Sequence, residues 1–342
     1  MGEFVPRFER AFAELCEVPH AVACSNGTTA LHLAMESLSI GPGDEVIIPA
    51  FTLIVSANTV LQTGAKPVLV DVRPDTWCID PALIERKITP RTRAILCVHM
   101  YGHPCDMEAI VRIADRHGVY VIEDAAQAHG ATVKDRPVGS WGDAGCFSFY
   151  ANKILTTGEG GMVVSHRREV ADRAALLRNQ AFEQVRFVHR EVGFNYRMTN
   201  MQAAIGLAQC ENFPDRIRRK KELAERYDEL LRDDSDFDRP VQLPHCRNVY
   251  WMYGIVLKPS FGRAMPEVRR MLSEAGIETR AFFVPLNLQP VFQGRHPRWP
   301  DLRGEYPVSE SLGGNGLYLP SGFELTPEDQ AFVVERLRTC KR

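Results

Sequence analysis

From residue 21 to about 166 the chain alternates short apolar runs with amphipathic stretches. Residues 21–24, 45–49, 67–72, 94–98, 120–123, 145–148 and 161–165 are short and almost continuously apolar, which predicts buried strands. Between them, residues 28–37 bring Leu31, Leu33 and Ala34 onto one helical face, with Leu38 just beyond, and residues 107–117 do the same with Ile110, Val111, Ile113 and Ala114. Strands that alternate with helices predict a mostly parallel sheet covered by helices. After Pro214 the pattern changes. Residues 215–233 are highly charged but carry Ile217, Leu223, Tyr227, Leu230 and Leu231, which predicts a long amphipathic helix leaving the first domain. Beyond it, a strand-like stretch at 250–257 and a helical one at 266–275 predict a smaller α/β domain. The expected division is a large domain at 1–235 and a small C-terminal one at 236–342.

Composition narrows the choice of partner. The 342 residues are 45% hydrophobic, enough for two cores, and the 41 basic and 43 acidic residues leave a net charge of −2. No net field draws the chain to nucleic acid or to an anionic membrane, so a small-molecule partner is expected. Nine cysteines, an odd number without a C-x-x-C pair, argue for reduced thiols. No apolar run is long enough to cross a membrane and the first residues lack a signal-peptide pattern, so a cytoplasmic location is expected.

Three places could carry chemistry. The strand at 120–123 runs into Asp124, a carboxylate at the carboxyl end of a buried strand, where open α/β sheets place their ligands; a cap on a following helix at 125–129 is the alternative. Ser148 and Lys153 lie five residues apart where another strand leaves the core. Burial would favour the neutral amine that a Schiff base requires, whereas a lysine in a surface loop is the alternative. The segment Ser25-Asn26-Gly27-Thr28-Thr29 joins a strand to a helix, so free N–H groups and the positive end of the helix dipole would favour phosphate, or simply cap the helix. Glycines at 158, 160 and 161 give the backbone room to turn near the lysine. His99, His103 and Cys105 lack the partners of a metal set and are read as a cleft-lining loop, with no metal expected. The basic run at 216–221 has no aromatics between its charges and is followed by Glu222 and Glu225, as on a solvated helix face.

In order along the chain, SNGTTALHLA, GPGDEVIIPAFT, EDAAQAHGA, CFSFYANKILTTGEGGM, VGFNYRMTNMQAAIGLAQ and YPVSESLGGNGLYLPSG resemble the DegT/DnrJ/EryC1/StrS sugar aminotransferases. The resemblance implies the aspartate-aminotransferase-like type I fold, pyridoxal 5'-phosphate (PLP) as cofactor, and transfer of an amino group from L-glutamate to a nucleotide-linked ketosugar. It also implies roles for single residues. Lys153 would be the Schiff-base lysine and proton shuttle, Asp124 the partner of the pyridine nitrogen, and Gln127 a donor to the ring oxygen. Ser148, the Gly27 and Thr28 backbone and the Thr28 hydroxyl would hold the phosphate. Asn195 would reach the phosphate in a neighbouring subunit, so a homodimer with shared sites is expected. Within the family, NKILTTGEGGM, VHMYGHPCDM, DTWCIDP and FNYRMTN resemble the branch that aminates C4 of GDP-4-keto-6-deoxymannose. A 3-amino-sugar or cyclitol aminotransferase and a non-catalytic PLP-binding regulator stay open. A sister branch that dehydrates its substrate has histidine in place of the lysine, which Lys153 does not match. The chain departs from the family in starting at MGEFVPRFER, where relatives carry a longer leading segment, in Leu53 where an aromatic is common, and in Asn287 where histidine is usual.

Overall fold

All of the predicted strands from 21 to 165 form, and they join one sheet. The computed structural model describes residues 2–183, 185, 187–294 and 296–342. The chain runs α1 (Phe4–Leu15), β1 (His20–Cys24), α2 (Gly27–Ser37), β2 (Glu45–Pro49), α3 (Val55–Gln62), β3 (Lys66–Val70), α4 (Pro81–Ile84), β4 (Thr92–Val98), α5 (Met107–His117) and β5 (Tyr120–Asp124). Two short strands follow, β6 (Thr132–Val133) and β7 (Arg136–Pro137), then β8 (Ala144–Ser148), β9 (Gly161–Ser165), α6 (Arg168–Leu177), α7 (Asn200–Glu211) and α8 (Phe213–Leu230). The rest is β10 (Phe237–Asp238), β11 (Cys246–Arg247), β12 (Tyr253–Leu257), α9 (Met265–Glu274), β13 (Arg280–Ala281), α10 (Pro307–Asn315), β14 (Gly316–Leu319) and α11 (Pro327–Thr339).

The main sheet has the order β1-β9-β8-β5-β4-β2-β3. Its pairs are parallel except the two that β9 makes, with β1 and with β8. Six strands therefore point the same way, and their carboxyl ends share one edge. β2, β8 and β9 are buried along their whole length, which explains their unbroken apolar runs. Helices α2 and α6 cover β9 on the way to β1, while α3 and α5 lie against β2, β4 and β5.

The second sheet, β10-β12-β14-β13, is antiparallel throughout. Its core joins Tyr253, Ile255, Leu317 and Leu319 to Leu223 and Tyr227 of α8, Val268 and Leu272 of α9, and Val333 and Leu337 of α11. Helix α8 starts at Phe213, two residues ahead of the predicted 215, because Pro214 fits a first helical turn, where its missing N–H has no partner to lose. β12 is shorter than the predicted 250–257 because Tyr250 takes a φ of 46° and bends the chain. All nine cysteine thiols are free. No helix among the described residues is long and apolar enough to cross a membrane.

The carboxyl-terminal part is tied back to the amino-terminal part at several places. β11 pairs with β6, the Leu286 N–H donates to the Ala50 carbonyl at 2.8 Å, and Asp71, just past β3, accepts the N–H groups of Val308 and Ser309 at 3.0 and 2.9 Å and the Ser309 hydroxyl. Asp71 is buried and caps the first turn of α10 from a distant strand. Asp71→Ala leaves those buried donors unpaired and is expected to cost about 1–3 kcal/mol. A denaturant midpoint equal to wild type would show that this carboxylate does not secure the contact.

Candidate active site

The shared edge collects the chain segments that leave β1, β2, β4, β5 and β8, together with the start of β9. Asp124 closes β5 and pairs with Cys146 of β8, so Ser148 lies two residues further along the neighbouring strand. Asp124 is buried, and its Oδ1 accepts the Ala126 N–H at 3.1 Å. That bond closes a tight turn over Ala125–Gln127, so the helix that Asp124 could have capped at 125–129 does not form. Burial pushes the carboxyl above the ordinary carboxylate range, while the Ala126 N–H and the positive charge of Lys153 pull it back.

Behind Asp124, Glu123 is fully buried and fully engaged. Its carboxylate accepts the N–H groups of Gly139, Trp141 and Gly142 at 2.7–2.8 Å and faces His99 Nε2 at 3.1 Å. His99 Nδ1 accepts the Cys105 N–H at 3.0 Å, which leaves the ring proton on Nε2, directed at Glu123. His99 is fully buried, because the turn after β4 folds inward, while His103 with Met100 and Tyr101 of the same loop lines a small cavity. Gln127 is also buried. Its Oε1 accepts the Tyr101 N–H at 2.9 Å, which fixes the carboxamide and leaves the two amide hydrogens to face elsewhere.

Lys153 lies in the turn after β8, its N–H bonded to the Tyr150 carbonyl at 2.9 Å. Its side chain is half-buried, with Nζ 3.6 Å from the centre of the Trp251 ring. Burial pushes the amine down to about 8, against the pull of Asp124. Trp251 is fixed in turn: its Nε1–H donates to the Asn152 carbonyl at 2.8 Å and its own carbonyl accepts Lys220 Nζ at 3.0 Å. Lys220 is 5% exposed, so the basic run at 216–221 is not wholly a solvated face. The reason is that the Lys220 ammonium finds buried acceptors in the carbonyls of Trp251 and Ser321. Lys153 and Lys220 both reach a cavity of about 810 Å³ that Arg216, Tyr318 and Phe323 also line.

On the other side of Ser148 lies the start of α2. Asn26 accepts the Thr29 N–H at 2.9 Å in a capping box, so the N–H groups of Gly27 and Thr28 remain at the positive end of the helix. A Cβ on Gly27 would stand 2.7 Å from the Ser148 Cβ, and one on Gly161 2.2 Å from the Asn26 carbonyl oxygen. Only glycine lets helix start, hydroxyl and strand meet this closely. The result sets two N–H groups beside the Ser148 hydroxyl, chemistry that fits a phosphate. A phosphate cradle, a carboxylate at the end of β5 and a desolvated amine together match the three handles of PLP.

The structure thus brings Gly27, Thr28, Asp124, Gln127, Ser148 and Lys153 to one edge. Asn195 is exposed and bridged to Asn179. Leu53, in the turn after β2, is 46% exposed at the same edge. Asn287 is buried and its Nδ2 donates to Glu310 Oε1 at 2.8 Å, while its buried Oδ1 has no partner among the described residues. Sequence reasoning missed Trp251 and Lys220, and the one available signal was a tryptophan in an otherwise strand-like run.

The profile of the DegT/DnrJ/EryC1/StrS aminotransferase family matches residues 1–338, and the chain belongs to that family. It is similar to the GDP-perosamine synthase of Caulobacter vibrioides, 44% identical over 98% of this chain and 90% of the relative. It is also similar to the dTDP-3-amino-3,4,6-trideoxy-alpha-D-glucose transaminase of Streptomyces venezuelae, 39% identical over 99% of this chain and 87% of that one. The solved structure of S. venezuelae DesV superposes with a TM-score of 0.92 at 38% identity, covering 100% of this chain and 90% of the other. The protein is a PLP-dependent sugar aminotransferase with the fold that the family shares.

The depressed Lys153 amine has a direct consequence. In the cofactor-free protein, labelling of Lys153 by an amine-reactive reagent, followed by peptide mass spectrometry, should rise with pH through a midpoint near 8 rather than 10.5. The neutral amine predominates above that midpoint and the ammonium below it. A midpoint at 10.5 would show a hydrated side chain.

Proposed function

We propose that the protein moves the amino group of L-glutamate to C4 of GDP-4-keto-6-deoxymannose, giving GDP-perosamine. The observation that carries this reading is the 44% identity to a GDP-perosamine synthase along nearly the whole chain. The wording of residues 152–162 and 98–107 supports the same branch. A 3-amino-sugar reading is favoured by one observation, the 39% identity to the S. venezuelae dTDP-3-amino-sugar transaminase. On the proposed reading the minimal unit is a homodimer, in which the exposed Asn195 reaches the phosphate of the neighbouring site. Residues 1–235 and 236–342 act as large and small domains, and the enzyme works in the cytoplasm.

Each side chain has a task in this reading. PLP, when bound, supplies an electron sink for charge that develops beside the transferred nitrogen. Asp124 meets the ring nitrogen and, as a carboxylate, keeps a proton there. Gln127, with its oxygen tied to Tyr101, offers its amide hydrogens to the ring oxygen. Ser148, the Thr28 hydroxyl and the N–H groups of Gly27 and Thr28 hold the phosphate. Lys153 is the covalent attachment point and, once the donor amine takes that place, the base that removes the proton from the donor carbon. An amine near 8 exchanges protons at neutral pH in either direction, as two opposite half-reactions require. Glutamate and sugar then react in turn, and the kinetics are ping-pong.

Lys153→Ala should fold with an unchanged unfolding midpoint while turnover drops by at least about 10²-fold; full activity would remove the lysine from the chemistry. For the wild-type protein loaded with PLP, the visible absorbance band should bleach with L-glutamate and return with GDP-4-keto-6-deoxymannose. Return only with a dTDP-linked 3-keto sugar would transfer the assignment to the 3-amino branch.

A further inference from the structure

We propose that Trp251 is a positioning residue for Lys153: its ring face holds the side-chain nitrogen in place during the part of the cycle when the lysine is detached and must carry a proton. The inference rests on the reading of Lys153 given above. It starts from how the indole is anchored. The ring grips the lysine at two points, the amine, 3.6 Å from the ring centre, and the main chain just before it, through the 2.8 Å bond from Nε1–H to the Asn152 carbonyl. A tryptophan needed only to fill space would require neither. Its backbone is fixed by Lys220 from α8, and its ring stacks on Tyr101 at 6.4 Å with an interplanar angle of 29°.

Tyr101 in turn gives its N–H to Gln127, so one wall runs from Gln127 through Tyr101 and Trp251 to Lys153. Gly102 permits the approach. Its φ of 107° is open to glycine, and a Cβ there would lie 2.8 Å from the Tyr250 nitrogen and 2.9 Å from that of Trp251. The Val249 N–H closes the contact on the Gly102 carbonyl at 3.2 Å.

An aromatic face suits this task because it accepts both states of the amine. It attracts an ammonium through the ring quadrupole and receives a weak N–H contact from a neutral amine. The charged and titratable groups around Lys153 are Asp124 at the end of β5, His129 in the turn after it, and those that line its cavity: Arg216 and Lys220 on α8, and Glu278, Arg280, Tyr318, Glu324 and Asp329 from the carboxyl-terminal part. None of them is indifferent to the lysine's charge. The ring is the neighbour that keeps its hold through a proton transfer.

Trp251→Leu keeps the site apolar but removes the face, and Trp251→Phe keeps a face. In the cofactor-free protein, the midpoint of Lys153 labelling should fall by about half a unit or more in Trp251→Leu, because the ammonium loses its attraction while burial persists, and should stay at the wild-type value in Trp251→Phe. With PLP and glutamate, kcat of Trp251→Leu should fall about tenfold or more with KM within about twofold, and Trp251→Phe should recover most of the loss. In a folded Trp251→Leu protein, a labelling midpoint that stays or rises, or a kcat within about threefold of wild type, overturns the proposal. If Trp251→Leu does not fold, Trp251→Met, whose unbranched chain fits irregular gaps, takes its place under the same criteria. Failure here with an inactive Lys153→Ala leaves the lysine's role standing. Activity in Lys153→Ala would instead remove the basis of both.

Discussion

An amine that reacts as a nucleophile must be taken out of water, and an amine taken out of water must be held. The environment of Lys153 answers both demands. The turn after β8 shields it from much of the solvent, and the Trp251 ring gives it a surface that is neither water nor a fixed charge. Asp124 supplies the nearby negative charge, and the Ala126 N–H supports its ionised form against the cost of burial. The carboxylate at one end of the site and the amine at the other are adjusted by the same desolvation, which favours the neutral form of each and so moves their acidities in opposite directions.

Lys220 shows what burial does without that task. Its amine is also pushed down to about 8, yet its hydrogens go to two backbone carbonyls, so it serves as a cross-link between α8 and the segments around Trp251 and Ser321. Two lysines in one cavity with similar acidity thus differ in the acceptors that face them. Acidity alone does not separate reactive from structural lysines; the partners do.

The main sheet was legible because its signal is local. Runs such as 45–49 and 161–165 are buried at every position and could hardly be read as anything but interior strands. Lys153, Asp124 and Ser148 were legible for a related reason, each standing at or just past the end of such a run, and the family motifs sharpened their roles. Trp251 was not legible. Its place beside Lys153 depends on a φ of 107° at Gly102 and on hydrogen bonds to residues 31 and 99 positions away, none of which leaves a periodic trace. Lys220 was misread for the opposite reason: its charged neighbours Arg218 and Lys221 are exposed, and only the acceptors brought in by distant segments turn it inward. The absent helix at 125–129 is a milder case, in which one side-chain bond from Asp124 chose a turn over a helix of the same residues.

The site is assembled from segments far apart in the chain: the start of α2, the turns after β4, β5 and β8, and the stretch that carries Trp251. No nascent fragment that stops short of residue 251 contains the whole set. The long-range pairing of β1 with β9 must also be made before Gly161 can approach Asn26 and shape the phosphate cradle. The complete cofactor site therefore forms only after most of the chain has been made. Because the ligand binds only the finished fold, its presence acts as a ratchet, drawing the completed chain away from the partly folded population in proportion to the free cofactor in the cell.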